Sequence, residues 1–346
     1  MAIIINGTTG IIDADGGQVL STADYTAISR TVDPDNRIIN GNFVIWERGD
    51  NFTTNTYGAD RWTNTFIGGA VAQSRQTFPL GDTLGVNTPT YFLRQTVSGQ
   101  SLASNAAIIT QHIESVRSYA GQTITVLGWA RRSSGAGNMS INSGQYFGSG
   151  GSPSASVVTA GQIVTLTGSW APFAVTINIP SITGKTLGTN GKDYLDINFW
   201  TSAGSNFASS AGALGPQTIG VDLWGIHIKL GTHPASTTSQ YRPRDQGTEL
   251  ALCQRYYETG RGVLLASYTT GNFGGGVSRV FYTVTKRAIP NAISVVKYEV
   301  VPGGSQGLIT TFSILNDNPY GCQVWFGGAA SIGDYMQYVY YVDAEF

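Results

Sequence analysis

Charge is what this sequence has least of. Asp, Glu, Lys and Arg make up 12% of its 346 residues, against roughly 25% in a typical soluble domain. Residues 133–184 carry none at all. Serine, threonine, asparagine and glutamine must therefore wet the surface. The 20 basic residues are balanced by 21 acidic ones and form no run. Without a basic stripe to neutralise phosphates, a nucleic-acid partner is not expected. Long apolar runs are missing too; no stretch approaches the roughly 20 residues of a membrane-crossing helix, so membrane insertion is not expected. Residues 1–10 hold only a short apolar run and no basic leader, so no signal peptide is expected. The two cysteines, Cys253 and Cys322, are too far apart for a metal-type pair and read as reduced thiols in a core.

What is present suits a folded protein. Hydrophobic residues reach 41%, with 7 Trp, 17 Tyr and 14 Phe, ample for real cores and incompatible with disorder as the main state. The dominant period is two. Phe173, Val175, Ile177 and Ile179 alternate with polar or small residues, as do Leu195, Ile197 and Phe199. Asp222, Trp224, Ile226, Ile228 and Leu230 read as one strand face, and Leu223, Gly225, His227 and Lys229 as the other. Such runs between Gly, Ser, Asn and Pro clusters predict antiparallel strands, and their repetition predicts an all-β sandwich or jelly roll. Uncharged strands discourage edge pairing poorly, which hints at an oligomer. One helix is expected at 248–257, with Thr248 as N-cap and Glu249 in the first turn, and a helical turn at 115–119. A proline-broken polar stretch at 241–247 marks one boundary and a charged turn at 32–36 another. The expected division is an arm over 1–35, a jelly roll over 36–247, and a short helix with a smaller C-terminal β domain over 248–346.

Residue chemistry offers little for catalysis. Gly303-Gly-Ser305-Gln-Gly307 matches a nucleophile elbow, but that motif needs a strand-to-helix turn, and strands are expected on both sides. All three histidines (His112, His227, His233) also precede Ser305. Glycoside cleavage needs two facing carboxyl groups, and Asp193 and Asp196, three apart on a strand, point to opposite faces. Asp13 and Asp15 lack the further ligands of a calcium loop. No metal or cofactor is expected. His227 reads as a satisfied strand histidine.

Aromatics stand out. Tyr320, Trp325, Phe326, Tyr335, Tyr338, Tyr340, Tyr341 and Phe346 crowd the C-terminus. Rings that pack on sugar C–H faces, beside amides and hydroxyls that bind sugar hydroxyls, make a glycan site with few charges; the same alternation also builds β cores. Tyr320, Trp325, Tyr335, Tyr338 and Tyr340 are the candidate glycan-binding residues. Trp46 and Trp62 read as core rings, and Asp60 with Arg61 as a buried ion pair.

Three segments in order resemble the tail fibre or receptor-binding proteins of tailed bacteriophages. They are NRIINGNFVIWERG (36–49) with YGADRW (57–62); QHIE (111–114) with GQTITVLGWAR (121–131); and DLWGIHIKLG (222–231) with YRP (241–243) and ELALCQRYYE (249–258). They span about two thirds of the chain. The resemblance implies a carbohydrate-binding-module-like jelly roll, then a small β tip domain. It further implies a homotrimer, an arm docking on the tail or baseplate, assembly into the virion in the host cytoplasm, and attachment to a host-surface polysaccharide such as lipopolysaccharide or capsule, with no transferable catalytic residue. The alternatives are a tailspike-type depolymerase and a structural connector of tail or baseplate.

Overall fold

The computed structural model describes residues 4–6, 10–12, 18–20, 35–265, 268–270, 273–301, 309–328 and 335–346. Asp13, Asp15 and the Ser305 motif lie outside them. The described chain is almost wholly β and separates into two compact units. The first comprises Met1–Val44, Asp50–Gly58 and Trp62–Asp245; the second comprises Ile45–Gly49, Ala59–Arg61 and Gln246–Phe346. A single cut near residue 245 thus misses two short excursions, 45–49 and 59–61, that belong to the C-terminal unit.

In the first unit a six-stranded antiparallel sheet runs in the order Ala171–Asn178, Thr123–Gly135, Ile219–Leu230, Tyr91–Ser98, Ala70–Thr77, Asn51–Phe52. The second sheet runs Val157–Val158, Met139–Tyr146, Tyr194–Ala203, Ala106–Glu114, Trp62–Ile67, Thr56–Tyr57, with Gln162–Val164 also paired to the Met139 strand. Three short strands, Ile4–Asn6, Gly10–Ile12 and Gln18–Leu20, form a separate antiparallel sheet. The core is apolar and comes from both large sheets: Ile124, Val126, Val221, Leu223 and Leu93 from the first, Ile109, Ile141, Leu195, Ile197, Phe199 and Trp62 from the second, all essentially buried. Polar bridges also cross it. Gln95 donates to Asn64 Oδ1 at 2.8 Å and accepts from Thr201 at 2.5 Å, and Gln73 donates to the Thr63 carbonyl at 3.2 Å. Buried amides satisfied in this way fix how two sheets register, because an unmatched amide in the core is costly.

The alternation expected for 222–230 breaks at Gly225. That residue has φ of +67°, a region open to glycine, and forms a β-bulge against the Thr123 strand, with Trp224 opposite Trp129 but His227 opposite Leu127. The extra residue reverses the alternation. Asp222, Trp224 and His227 therefore share a face, while Leu223, Ile226 and Ile228 go to the other. A side chain at 225 would sit 2.8 Å from the Trp129 ring. His227 is buried, bonded at Nδ1 to the Gly225 carbonyl and stacked on Tyr241 at 4.7 Å. Asp222 is fully buried and neutralised by Arg94 (2.6 Å) and Arg131 (2.7 Å). Residues 115–119 form a turn, not a helix.

The second unit holds a three-stranded sheet, Tyr257–Leu265, Tyr335–Asp343, Ala292–Val301, and a four-stranded one, Tyr268–Thr270, Phe273–Phe281, Gly321–Gly328, Ile309–Asn318. The helix covers Gln246–Gln254, earlier than expected: Tyr257 opens a strand, Thr248 lies inside the helix, and Glu249 and Cys253 make the buried row. Both cysteines are free and buried. The apolar core gathers Val280, Tyr282, Cys322, Val324, Tyr338 and Val342.

A second core of this unit is ionic. Asp60 and Arg61, adjacent in sequence, were expected to pair with one another; instead Asp60 faces Arg48 at 3.5 Å and Arg61 pairs with Glu345. Consecutive residues diverge here because Arg61 holds φ of +73°. Arg48 and Arg61 also cover the Tyr257 and Tyr256 rings at 3.6 and 3.5 Å, which suits a cation lifted from water. Lys286 and Glu258, both buried, meet at 2.5 Å.

Candidate functional site

The outward face of the seven-stranded sheet collects the polar and aromatic residues that the core excludes. Cross-strand register places Tyr146, Tyr194 and Glu114 in one row, then Gly144, Asp196 and His112, then Asn142, Asn198 and Thr110, then Ser140, Trp200 and Ile108. Period two explains the segregation: the odd residues Leu195, Ile197 and Phe199 fill the core, so the even ones point outward.

Four rings run across the strands. Tyr146 stacks on Tyr194 at 4.8 Å, Tyr194 meets His112 at 4.4 Å, and Tyr57 approaches His112 edge-on at 6.2 Å. The rings are half-buried, flat surfaces held by their neighbours. Neighbouring strands lie roughly 4.8 Å apart, so a row crossing four such gaps, from the Met139 strand to the Thr56 strand, extends on the order of 19 Å. His112 Nδ1 sits 2.5 Å from Asp196 Oδ1, which fixes the imidazole. Thr110 donates to Asn198 at 2.7 Å, and the Trp200 indole donates to Asn142 at 3.0 Å. Burial, with the Asp196 carboxylate beside it, pushes the Tyr194 phenol well above its ordinary range, so it stays a neutral hydroxyl. At one end Trp200 packs with Ala106, Ala203 and Ala211 and closes the face.

Gly144, itself buried, lies between the Tyr146 and Asn142 rows. A side chain there would begin 3.6 Å from Asp196 Oδ2 and 3.9 Å from Asn198 Nδ2. Those are ordinary contact distances, so a first side-chain carbon would fit there, beside a carboxylate acceptor and an amide donor.

No protein-family model and no curated protein matches this chain. Among solved structures, it is similar to the enzymatically active domain of tailspike protein 4 of bacteriophage CBA120, at 14% identity and a TM-score of 0.33 over 57% of this chain and 21% of that one. The alignment thus spans about a fifth of the tailspike chain. It is also similar to the CBM22-1 xylan-binding domain of Paenibacillus barcinonensis Xyn10C, at 11% identity and 0.30 over 53% and 94%. A family 11 carbohydrate-binding module of a Clostridium thermocellum cellulase gives 10% and 0.30 over 53% and 96%. Likeness this loose carries no functional weight, so the residues of the face must carry it.

The two acids weighed for glycoside cleavage have other duties. Asp193 accepts from Val116 N at 2.9 Å and from the Ser115 hydroxyl at 3.2 Å, anchoring the turn after the Ala106 strand. Asp196 holds His112. No cluster of three or more metal-ligating side chains occurs among the described residues.

The C-terminal candidates are dispersed. Tyr338 is a core residue, 1% exposed, its hydroxyl donating to Ser278 at 2.8 Å; the expectation that it binds glycan is corrected. Tyr340 is half-buried, and its hydroxyl, pushed up to about 12 chiefly by burial, donates to Glu258 at 3.3 Å. Both rings fold over glycines of the neighbouring strand: a side chain on Gly260 or Gly262 would collide with Tyr340 or Tyr338 within 2.3 Å. That glycine pair two residues apart, opposite two tyrosines two apart, is the sequence signal for inward packing. Trp325 is half-buried, and the Tyr335 side chain lies outside the described residues. Tyr320 is accessible, at 69% exposure, and lines a groove of about 200 Å³ with Arg279, Phe281, Asn318 and Gln323.

The sequence reading missed Tyr57, His112, Tyr146, Tyr194 and Asn198. They are scattered over four strands, and only register unites them. Sequence alone presents Asp196 as half of a possible catalytic pair; register makes it the partner of His112.

Proposed function

We propose that the chain is a non-enzymatic glycan-binding protein that holds a polysaccharide against the Tyr146–Tyr194–His112–Tyr57 row. The observation that carries this is the ring row itself: four half-buried rings in line across the sheet, with Asp196 and Asn198 on the same face, over a length sufficient for more than one sugar ring. Rings supply apolar contact to sugar C–H faces, while the carboxylate and amides match hydroxyls in both directions. The sequence resemblance sets this activity in a phage tail fibre that attaches the virion to lipopolysaccharide or capsule. A homotrimer would present the face three times, and repetition raises avidity by roughly 10²–10⁴ without new contacts.

The test is binding of the full-length protein to lipopolysaccharide and capsule preparations, with a reducing-sugar assay on the same samples. Tyr194→Ala should weaken binding at least about tenfold, or 1.4 kcal/mol. Sugar release would replace this reading by a depolymerase. Exposed Tyr320 beside its groove favours a second contact in the C-terminal unit; Tyr320→Ala measures its share.

A further inference from the structure

A second polar pocket lies in the first unit, away from the ring row, and nothing above uses it. It encloses about 240 Å³ between Asp35, Arg37, Arg117, Tyr119, Ala120, Gln122 and Leu230. Its wall is the turn that follows the Ala106–Glu114 strand. Two non-glycine residues in that turn hold left-handed backbone, Ser115 at φ +67° and Tyr119 at φ +57°. Conformations of this kind persist only where the surroundings impose them. Here Asp193 ties Val116 and Ser115 at 2.9 and 3.2 Å, and the Ser118 hydroxyl donates to the Glu114 carbonyl at 2.8 Å. The buried Tyr119 hydroxyl then donates to the Asp35 carbonyl and accepts from Arg37 N at 3.1 Å. Both sides of the pocket are thus pinned through one phenol.

Two guanidiniums border this rigid space. Both are exposed: Arg37 lies over the Tyr119 ring at 5.6 Å, and Arg117 stands at the head of the turn. Among the described residues neither forms an ion pair, whereas Arg48, Arg61, Arg75, Arg94 and Arg131 all do. Among the described residues Arg132 and Arg242 form none either; what singles out Arg37 and Arg117 is that both border one pocket. Asp35 is the one carboxylate on the lining, so the surplus is a single positive charge. That balance suits a singly charged anion better than a dianion. Guanidinium forks pair bidentately with carboxylate and phosphate oxygens, and the Gln122 amide adds a donor.

We propose that this pocket binds one monoanionic group, a carboxylate or a phosphodiester, between Arg37 and Arg117. Acidic saccharides supply either group: uronic acids the first, phosphate-bridged glycans the second. The site stands whether or not the ring row binds sugar.

The experiment is arginine-selective NMR of the full chain, following the side-chain Nε–H signals assigned through Arg37→Gln and Arg117→Gln. The probes are glucuronate and dimethyl phosphate, with glucose as the neutral control. The expected result is saturable movement of both signals with one or both anions and none with glucose. The double variant lacks both signals and is followed instead by the backbone amides of residues 115–122; it should bind at least about tenfold more weakly with its melting temperature unchanged. Which anion saturates first tells carboxylate from phosphodiester. No movement up to about 100 mM of either anion, weaker than about 1.4 kcal/mol of affinity, would overturn the proposal. So would equal binding by the double variant. Monomeric probes keep this result separate from polysaccharide binding on the ring row.

Discussion

Replacing Lys286 by methionine removes one charge from the ionic core of the C-terminal unit and keeps most of the side-chain volume. Lys286 is 0% and Glu258 1% exposed at the side chain, with Nζ and Oε2 2.5 Å apart. The lysine also donates to the Gln254 carbonyl, and Glu258 keeps Thr283 N at 3.1 Å and the Tyr340 hydroxyl at 3.3 Å. Those neutral donors do not replace a cation. A buried carboxylate left without its partner costs about 3–5 kcal/mol. At roughly 4–8 °C per kcal/mol for a domain of about 100 residues, the melting temperature of this unit should fall by at least 12 °C. Lys286→Met with Glu258→Leu removes both charges and should recover most of the loss, since well-packed apolar pairs replace buried ion pairs at little cost. Calorimetry on the full chain reads both. A single variant within about 2 °C of the parent, well under 1 kcal/mol, would mean that Glu258 does not depend on the Lys286 charge. A double variant no better than the single would mean the same.

Glu47 gives a pH prediction. Burial, aided by the Asp60 and Glu258 carboxylates, pushes its pKa from 4.5 to about 7. The folded state therefore holds this proton more tightly than the unfolded one, so the stabilisation is complete below about 4.5 and lost as pH rises through about 7. Glu47→Gln should accordingly gain in melting temperature on the parent between pH 5 and 8, an interval of about three units; a constant difference would contradict this. Asp222→Asn leaves Arg94 and Arg131 around a neutral buried amide and should cost about 3 kcal/mol in urea unfolding. Cys253 and Cys322, both buried, should react with a thiol reagent only as fast as the protein opens, so labelling that is instantaneous without denaturant would place a thiol at the surface.

Strands were legible because solvent imposes a period of two wherever one face is buried; 171–178, 194–203 and 219–230 all showed it. Faces were less legible. One glycine at 225 flips the alternation, and a bulge is a property of two strands in register, not of one. The ionic core was hidden for a similar reason. Arg61 and Glu345 are distant in sequence, and the neighbour of Arg61, Asp60, offered itself as the obvious partner. The aromatic C-terminus drew attention by density, yet density marks cores as readily as sites; Gly260 and Gly262 were the residues that told which. The ring row was illegible because each strand contributes only one or two of its members.

The sheet face that carries the ring row should bind polysaccharide without cleaving it. Gly144→Leu is a clean perturbation of it, because the substitution deletes no group: the first side-chain carbon fits at ordinary contact, 3.6 Å from Asp196, and the remaining bulk is added beside Asp196 and Asn198. Titration of full-length parent and variant against lipopolysaccharide and capsule preparations should show saturable binding by the parent and at least about tenfold weaker binding by the variant. Melting temperatures should match and no reducing sugar should appear. Equal binding by a folded Gly144→Leu protein would contradict the account.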